Sequence, residues 1–152
     1  FTLACKGGWL NNDMAEWFCK YAKICFERFG DRVKIWATVN EPHFYSYCVN
    51  MLGNYPPNRS LDVQSYMQFQ YNLMRASALA VRTYRQMGYD GIIGAVHDGG
   101  VVELDPATEH PDDVFRYADF FANRMILAPA LQGQLPPEMD EILEKLGDPQ
   151  MT

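Results

Sequence analysis

Between Asp13 and Gly30 apolar residues recur at mixed three- and four-residue spacings: Trp17, Phe18, Tyr21, Ala22, Ile24, Cys25, Phe26 and Phe29. That period predicts a well-buried amphipathic helix over 13–29, with Asn12 or Asp13 as its N-cap and Gly30 as its stop. The pattern then tightens to a near-continuous apolar run, Val33, Ile35, Trp36, Ala37 and Val39, which predicts a buried strand over 33–39. A loop rich in Pro, Asn and Gly follows at 51–60. Next, Val63, Met67, Tyr71, Met74, Ala78, Val81 and Tyr84 predict a long helix from Asp62 to about Met87, ended by Gly88. Residues 91–98, GIIGAVHD, read as a second buried strand. Residues 110–127, HPDDVFRYADFFANRMIL, read as a third helix, with Pro111 and two Asp where a helix N-terminus favours them. A Pro-rich bend and a short amphipathic segment, EMDEILEKLG, come after it.

Helix, strand, helix, strand, helix is the order of parallel βαβ units whose sheet is covered on both faces. The fold class is therefore α/β, in a single domain over 1–152. A doubly wound sheet and a (β/α) barrel both satisfy the pattern. Two clear strands complete neither, since a full eight-stranded barrel needs roughly 200 residues or more.

Composition narrows the function. At 48% hydrophobic and 14% aromatic residues the chain has material for a core. A net charge of -6, with Lys and Arg interleaved among acids, argues against a nucleic-acid partner. No apolar run reaches the roughly 18 residues of a membrane span. The opening FTLACKGGWL has neither an initiator Met nor the pattern of a signal peptide, and reads as the interior of a longer chain. Cys5, Cys19, Cys25 and Cys48 form no C-x-x-C pair, and His43, His97 and His110 stand at no zinc-site spacing. Buried free thiols and a cytoplasmic location are the expectation, with no cofactor and no metal.

The candidate chemistry lies where the strands end, as it does in parallel α/β folds. The first strand runs out on Asn40-Glu41-Pro42, with His43, Phe44, Tyr45 and Tyr47 to surround the carboxyl. Pro42 is expected to hold Glu41 extended, on a stiff segment suited to a catalytic acid. Flat aromatic and polar side chains beside a carboxyl whose proton affinity an apolar wall can raise suit sugar chemistry. The second strand ends in His97-Asp98-Gly99-Gly100, where a His and an acid could orient a substrate hydroxyl or act as base and partner. G-x-S-x-G, G-x-G-x-x-G and P-loop motifs are absent.

GGWLN (7–11), YAKICFERFGDRVKIWATVNEP (21–42) and GIIGAV (91–96) resemble glycoside hydrolase family 1, the β-glucosidase and 6-phospho-β-glucosidase family of retaining (β/α)8-barrel enzymes. LAPALQGQLPPEM (127–139) is similar to the family's segment after strand five, where a Gly-x-x-Pro bend leads into the next helix. The resemblance implies part of a TIM barrel, from helix three to just past strand five. It implies Glu41 as general acid/base, Asn40 as the partner of the sugar 2-hydroxyl, and Trp9 as a structural residue of the rim. His43 stands where β-glucosidases often carry Trp in the aglycone site, and His97 where the family commonly has Asn. Both are sugar-contact candidates. The family's strand-seven E-N-G nucleophile motif does not occur, so the chain alone is expected to be inactive. Its ligand is expected to be a β-glucoside or related sugar, 6-phosphorylated or not, and a non-catalytic half-barrel is the alternative. Exposed barrel edges imply self-association.

Overall fold

The computed structural model describes residues 2–146. It divides into two compact units, Phe1–His97 and Asp98–Thr152, each treated by itself. In the first, α1 (Met14–Phe29) precedes β1 (Ile35–Asn40), and α2 (Pro42–Tyr47) continues into a wider π-type turn at Cys48–Leu52. Then come α3 (Val63–Gln86) and β2 (Ile92–Val96). The strands pair in parallel, with α3 as the crossover, which confirms the α/β reading.

The core lies between α1, α3 and one face of this two-stranded sheet. Ala22, Phe26, Ala80 and Tyr84 form one cluster with Trp36 and Ile93 from the strands. Val39, Val49, Phe69 and Leu73 form another, against which Trp9 and Phe18 pack. Phe26 meets Trp36 edge-on at 5.0 Å and Tyr84 at 5.1 Å, geometries that add to simple burial. Small residues let the helices approach: Ala15, Ala76 and Ala80 have no exposed surface.

Several expectations shift here. The strands are covered on one face only, since Ile35 is 74% and Ile92 69% exposed. Each run is near-continuously apolar, so its pattern could not reveal that one face stays open within this unit. Helix α1 buries only Ala15, Ala22 and Phe26, leaving Tyr21, Ile24 and Phe29 exposed. The buried stripe of α3 runs through Tyr66, Phe69, Gln70, Leu73, Ala76, Ser77 and Ala80, sharing only Met67 and Tyr84 with the predicted one. Its polar and small members escaped a search for large apolar side chains. Asp13 precedes α1 without a side-chain cap bond; instead its N–H donates to Asn11 Oδ1 at 2.8 Å. Gly30 does end α1, but for reasons of space, because a Cβ there would lie 2.6 Å from Phe26 O and from the Tyr89 ring. All four cysteines are free thiols, yet only Cys48 is buried; Cys5 is exposed and Cys19 and Cys25 are half-buried.

The second unit is helical. The predicted helix is α4 (Pro111–Asp119), a π-type turn at Phe120–Arg124 and α5 (Met125–Gln132). Gly133, at φ 70°, caps α5, and α6 (Pro137–Leu146) begins on a proline after the expected bend. An ion-pair network ties α4 to α6. Arg124 donates to both oxygens of Glu138 at 2.9–3.0 Å and to Asp119 at 2.8 Å, while Arg116 grips Glu141. Glu138 is 2% exposed, and Arg124's hydrogen bonds hold its carboxyl below the ordinary range against the opposing effect of burial.

Candidate functional site

The sheet register sets the site. Ile35 pairs with Ile92, Trp36 with Ile93 and Ala37 with Gly94, but Asn40 pairs with Val96. Strand β1 therefore carries one extra residue between Ala37 and Asn40, a bulge of the kind that re-aims side chains at a sheet's rim. Thr38 and Val39 both face the helices in consequence: Thr38 Oγ1 lies 2.7 Å from Ser77 Oγ and donates to Gly94 O at 3.0 Å, while Val39 packs in the core. Asn40 returns to the open face with Ile35 and Ala37 and is exposed. Without the bulge, strict alternation would turn Asn40 into the helix layer.

Glu41 is not extended. Its φ of 44° and ψ of 58° lie in the left-handed region, a conformation that costs about 1–3 kcal/mol for a residue with a side chain. Two backbone bonds explain it. The Glu41 N–H still belongs to the sheet, donating to Val96 O at 2.8 Å, while its carbonyl already accepts from Tyr45 N at 2.9 Å in α2. One residue must turn the chain from strand to helix, and Pro42 disfavours the right-handed region. His110, also ahead of a helix-opening proline, has φ 53° and ψ 54°, so this strain belongs to the turn and is not itself a mark of catalysis.

The aromatics beyond Pro42 divide between two sides of α2. His43 stacks on Tyr47 with centroids 6.0 Å apart and meets Tyr66 edge-on at 6.4 Å. Tyr45 packs edge-on against Phe69 at 5.4 Å, so it joins the α3 side instead of ringing the carboxyl. Beneath the helix, Ser46 and Gln70 are wholly buried, with Ser46 Oγ 2.5 Å from Gln70 Oε1. Sequence reasoning missed this polar tie. Its one signal was a glutamine standing on the core stripe of α3.

His97 directly follows Val96, so the backbone brings Asn40, Glu41 and His97 to the same end of the sheet, with His97 half-buried. Trp9 packs on Phe18 and Phe69 at 5.9 and 6.3 Å, and its carbonyl accepts from Asn72 Nδ2. Trp9 thus packs against the second core cluster. Among the described residues no group of three or more His, Cys, Asp or Glu is placed to hold a metal ion, and no helix is long and apolar enough to cross a membrane. The arrangement offers an amide and a carboxylate side by side at a strand end, on a backbone fixed by the ladder and by α2.

Comparison with known proteins identifies the family. The family model described as Glycosyl hydrolase family 1 matches residues 1–152. A 1,4-beta-D-glucan glucohydrolase of Thermotoga neapolitana is 38% identical over 147 residues, which cover 95% of this chain and 33% of that protein. The 6-phospho-beta-glucosidase GmuD of Bacillus subtilis is 36% identical over 148 residues, covering 93% of this chain and 30% of that protein. The structure superposes on a family 1 β-glucosidase of Thermotoga maritima with a TM-score of 0.85 at 33% identity, covering 98% of this chain and 33% of that one. The same enzyme is also solved in complex with isofagomine lactam. The chain thus spans about a third of the length of the relatives it matches.

Proposed function

This chain belongs to glycosyl hydrolase family 1, and on that footing we propose that it is the acid/base-bearing third of a retaining β-glycosidase barrel. The observation that carries the reading is Asn40-Glu41 at the C-terminal end of a parallel strand, where such barrels place their chemistry. In this reading Glu41 protonates the glycosidic oxygen as the leaving group departs, and then removes a proton from the water that releases the sugar. Asn40, exposed on the open face because of the bulge, hydrogen-bonds the sugar 2-hydroxyl. His43, stacked on Tyr47, borders the aglycone, and His97 contacts the sugar or supports a residue that does.

Retaining hydrolysis uses two carboxylates about 5–5.5 Å apart. Glu41 is one of them, and the E-N-G motif that would bring the nucleophile does not occur in the sequence. The 152 residues alone are therefore expected to hydrolyse nothing. The open face of β1 and β2 is expected to draw copies together, and the free thiols fit work in the cytoplasm. The substrate is a β-glucoside, with 6-phospho-β-glucosides the rival on the strength of the GmuD relative.

The test replaces the matching third of the Thermotoga maritima β-glucosidase by this chain and assays 4-nitrophenyl β-glucoside beside the isolated chain. Turnover by the graft and none by the isolated chain supports the reading. A folded graft without turnover, together with sugar binding by the isolated chain, favours a non-catalytic half-barrel.

A further inference from the structure

Two side-chain hydroxyls meet at the bulge in β1. In a parallel ladder the backbone bonds recur every second residue on both strands. Stepping in this way from Ile92 N, which donates to Lys34 O at 2.8 Å, brings the N–H of Asn40 to Val96 O. The bond to Val96 O comes instead from Glu41 N, at 2.8 Å, so β1 carries one more residue than β2 between Ala37 and Asn40. The ladder itself does not favour an extra residue, which it leaves unpaired, yet every side chain beyond it changes face.

The side chains supply what the ladder does not. Thr38 Oγ1 donates to Gly94 O at 3.0 Å and lies 2.7 Å from Ser77 Oγ. A threonine hydroxyl has one proton, and here the carbonyl takes it, so the Ser77 hydroxyl donates in the shorter contact. The result is a one-way chain from Ser77 through Thr38 to Gly94 O, in which each bond polarises the next. Ser77 is 5% exposed and rides on α3, the crossover helix. Thr38 is thus tied at once to the partner strand and to the helix layer, at the extra residue and two positions before Asn40.

We infer that Thr38 and Ser77 are positioning residues for Asn40: they hold the bulge that turns its side chain to the open face, and with it the preference for a sugar carrying a 2-hydroxyl. This rests on the reading of Asn40 as the partner of that hydroxyl.

The Thermotoga maritima graft tests it through a ratio, kcat/KM for 4-nitrophenyl β-glucoside over kcat/KM for the 2-deoxy analogue, which cancels any loss common to both substrates. Thr38→Val keeps the shape, removes both bonds and should lower the ratio about tenfold. Thr38→Ser retains a hydroxyl and should restore most of it, while Ser77→Ala should lower it less than Thr38→Val. In an Asn40→Ala background Thr38→Val should change the ratio no further. If Asn40→Ala lowers the ratio and a folded Thr38→Val graft does not, the inference alone is overturned. If Asn40→Ala leaves the ratio untouched, the reading of Asn40 fails and the inference with it. Should Thr38→Val prevent folding, Ser77→Ala decides by the same ratio. One readout needs no activity: in the 152-residue chain, exchange of the Glu41 amide hydrogen should speed up about tenfold in Thr38→Val, and unchanged exchange there would overturn the inference.

Discussion

Two glycines in and beside β2 should respond to the same substitution with opposite signs. A Cβ at Gly91 would fall 2.4 Å from Lys34 O and 2.4 Å from Tyr84 Oη. Neither neighbour can yield freely. Tyr84 has no exposed surface, and Lys34 O accepts the Ile92 N–H at 2.8 Å, the bond that starts the parallel ladder. Overpacking of this kind costs about 1–3 kcal/mol, and weakening the Ile92 bond adds about 0.5–1.5 kcal/mol. Alanine's narrower unfolded ensemble returns about 0.4–1 kcal/mol. Gly91→Ala should therefore destabilise the chain by roughly 2 kcal/mol, lowering the melting temperature of a unit this size by about 8–16 °C. A Cβ at Gly94 meets nothing within 4 Å, so Gly94→Ala keeps only the entropic gain and should be neutral or slightly stabilising. Thermal and urea unfolding followed by circular dichroism, on both variants side by side, gives the answer. If the two cost the same, or if Gly91→Ala is neutral, then the β1–β2 junction that positions Asn40 and Glu41 is wrongly understood.

Glu138→Gln should cost the chain about 2–3 kcal/mol in urea unfolding, below the usual cost of breaking a fully buried pair because Arg124 keeps part of its surface and its bond to Asp119. Because Arg124 holds the Glu138 carboxyl below its ordinary value, this contribution is complete above the unfolded-state value of about 4.3 and fades as pH falls through the folded one. The natural chain should lose more stability than Glu138→Gln between pH 5 and about pH 3, and parallel profiles would contradict the assignment. In sedimentation, the 17.5 kDa chain should self-associate through the face of Ile35 and Ile92, and Ile35→Lys with Ile92→Lys should return it to a monomer. A natural chain that stays monomeric at high concentration would refute that.

The sequence shows the strand–helix order and the position of Glu41 because both depend on local patterns: an apolar run ending on a carboxylate, then proline. The bulge at Thr38–Val39 was not legible, since it rests on one skipped pairing with β2, fifty-odd residues away. The left-handed turn of Glu41 escaped for a similar reason. The rule for residues before proline removes the right-handed helix, but it does not foresee a backbone bound at once to Val96 and to Tyr45. Burial was misjudged wherever side-chain size served as its proxy. Tyr21 and Ile24 face out, while Gln70, Asn72 and Ser77 face in, where they meet Ser46 of α2, the carbonyl of Trp9 and Thr38 of β1. The Arg124–Glu138 network had no signature at all, as both residues sit in segments that read as ordinary charged helix.

The most direct test of the account is Glu41→Gln in the grafted Thermotoga maritima enzyme, assayed with an unactivated β-glucoside and with added azide. Loss of the acid/base should lower kcat by about 10²–10⁴-fold. Azide, which needs no base to attack the glycosyl intermediate, should restore turnover of an activated aryl glucoside and yield the β-glycosyl azide. A folded Glu41→Gln graft that keeps its activity, or gains nothing from azide, would contradict the assignment of Glu41 as acid/base.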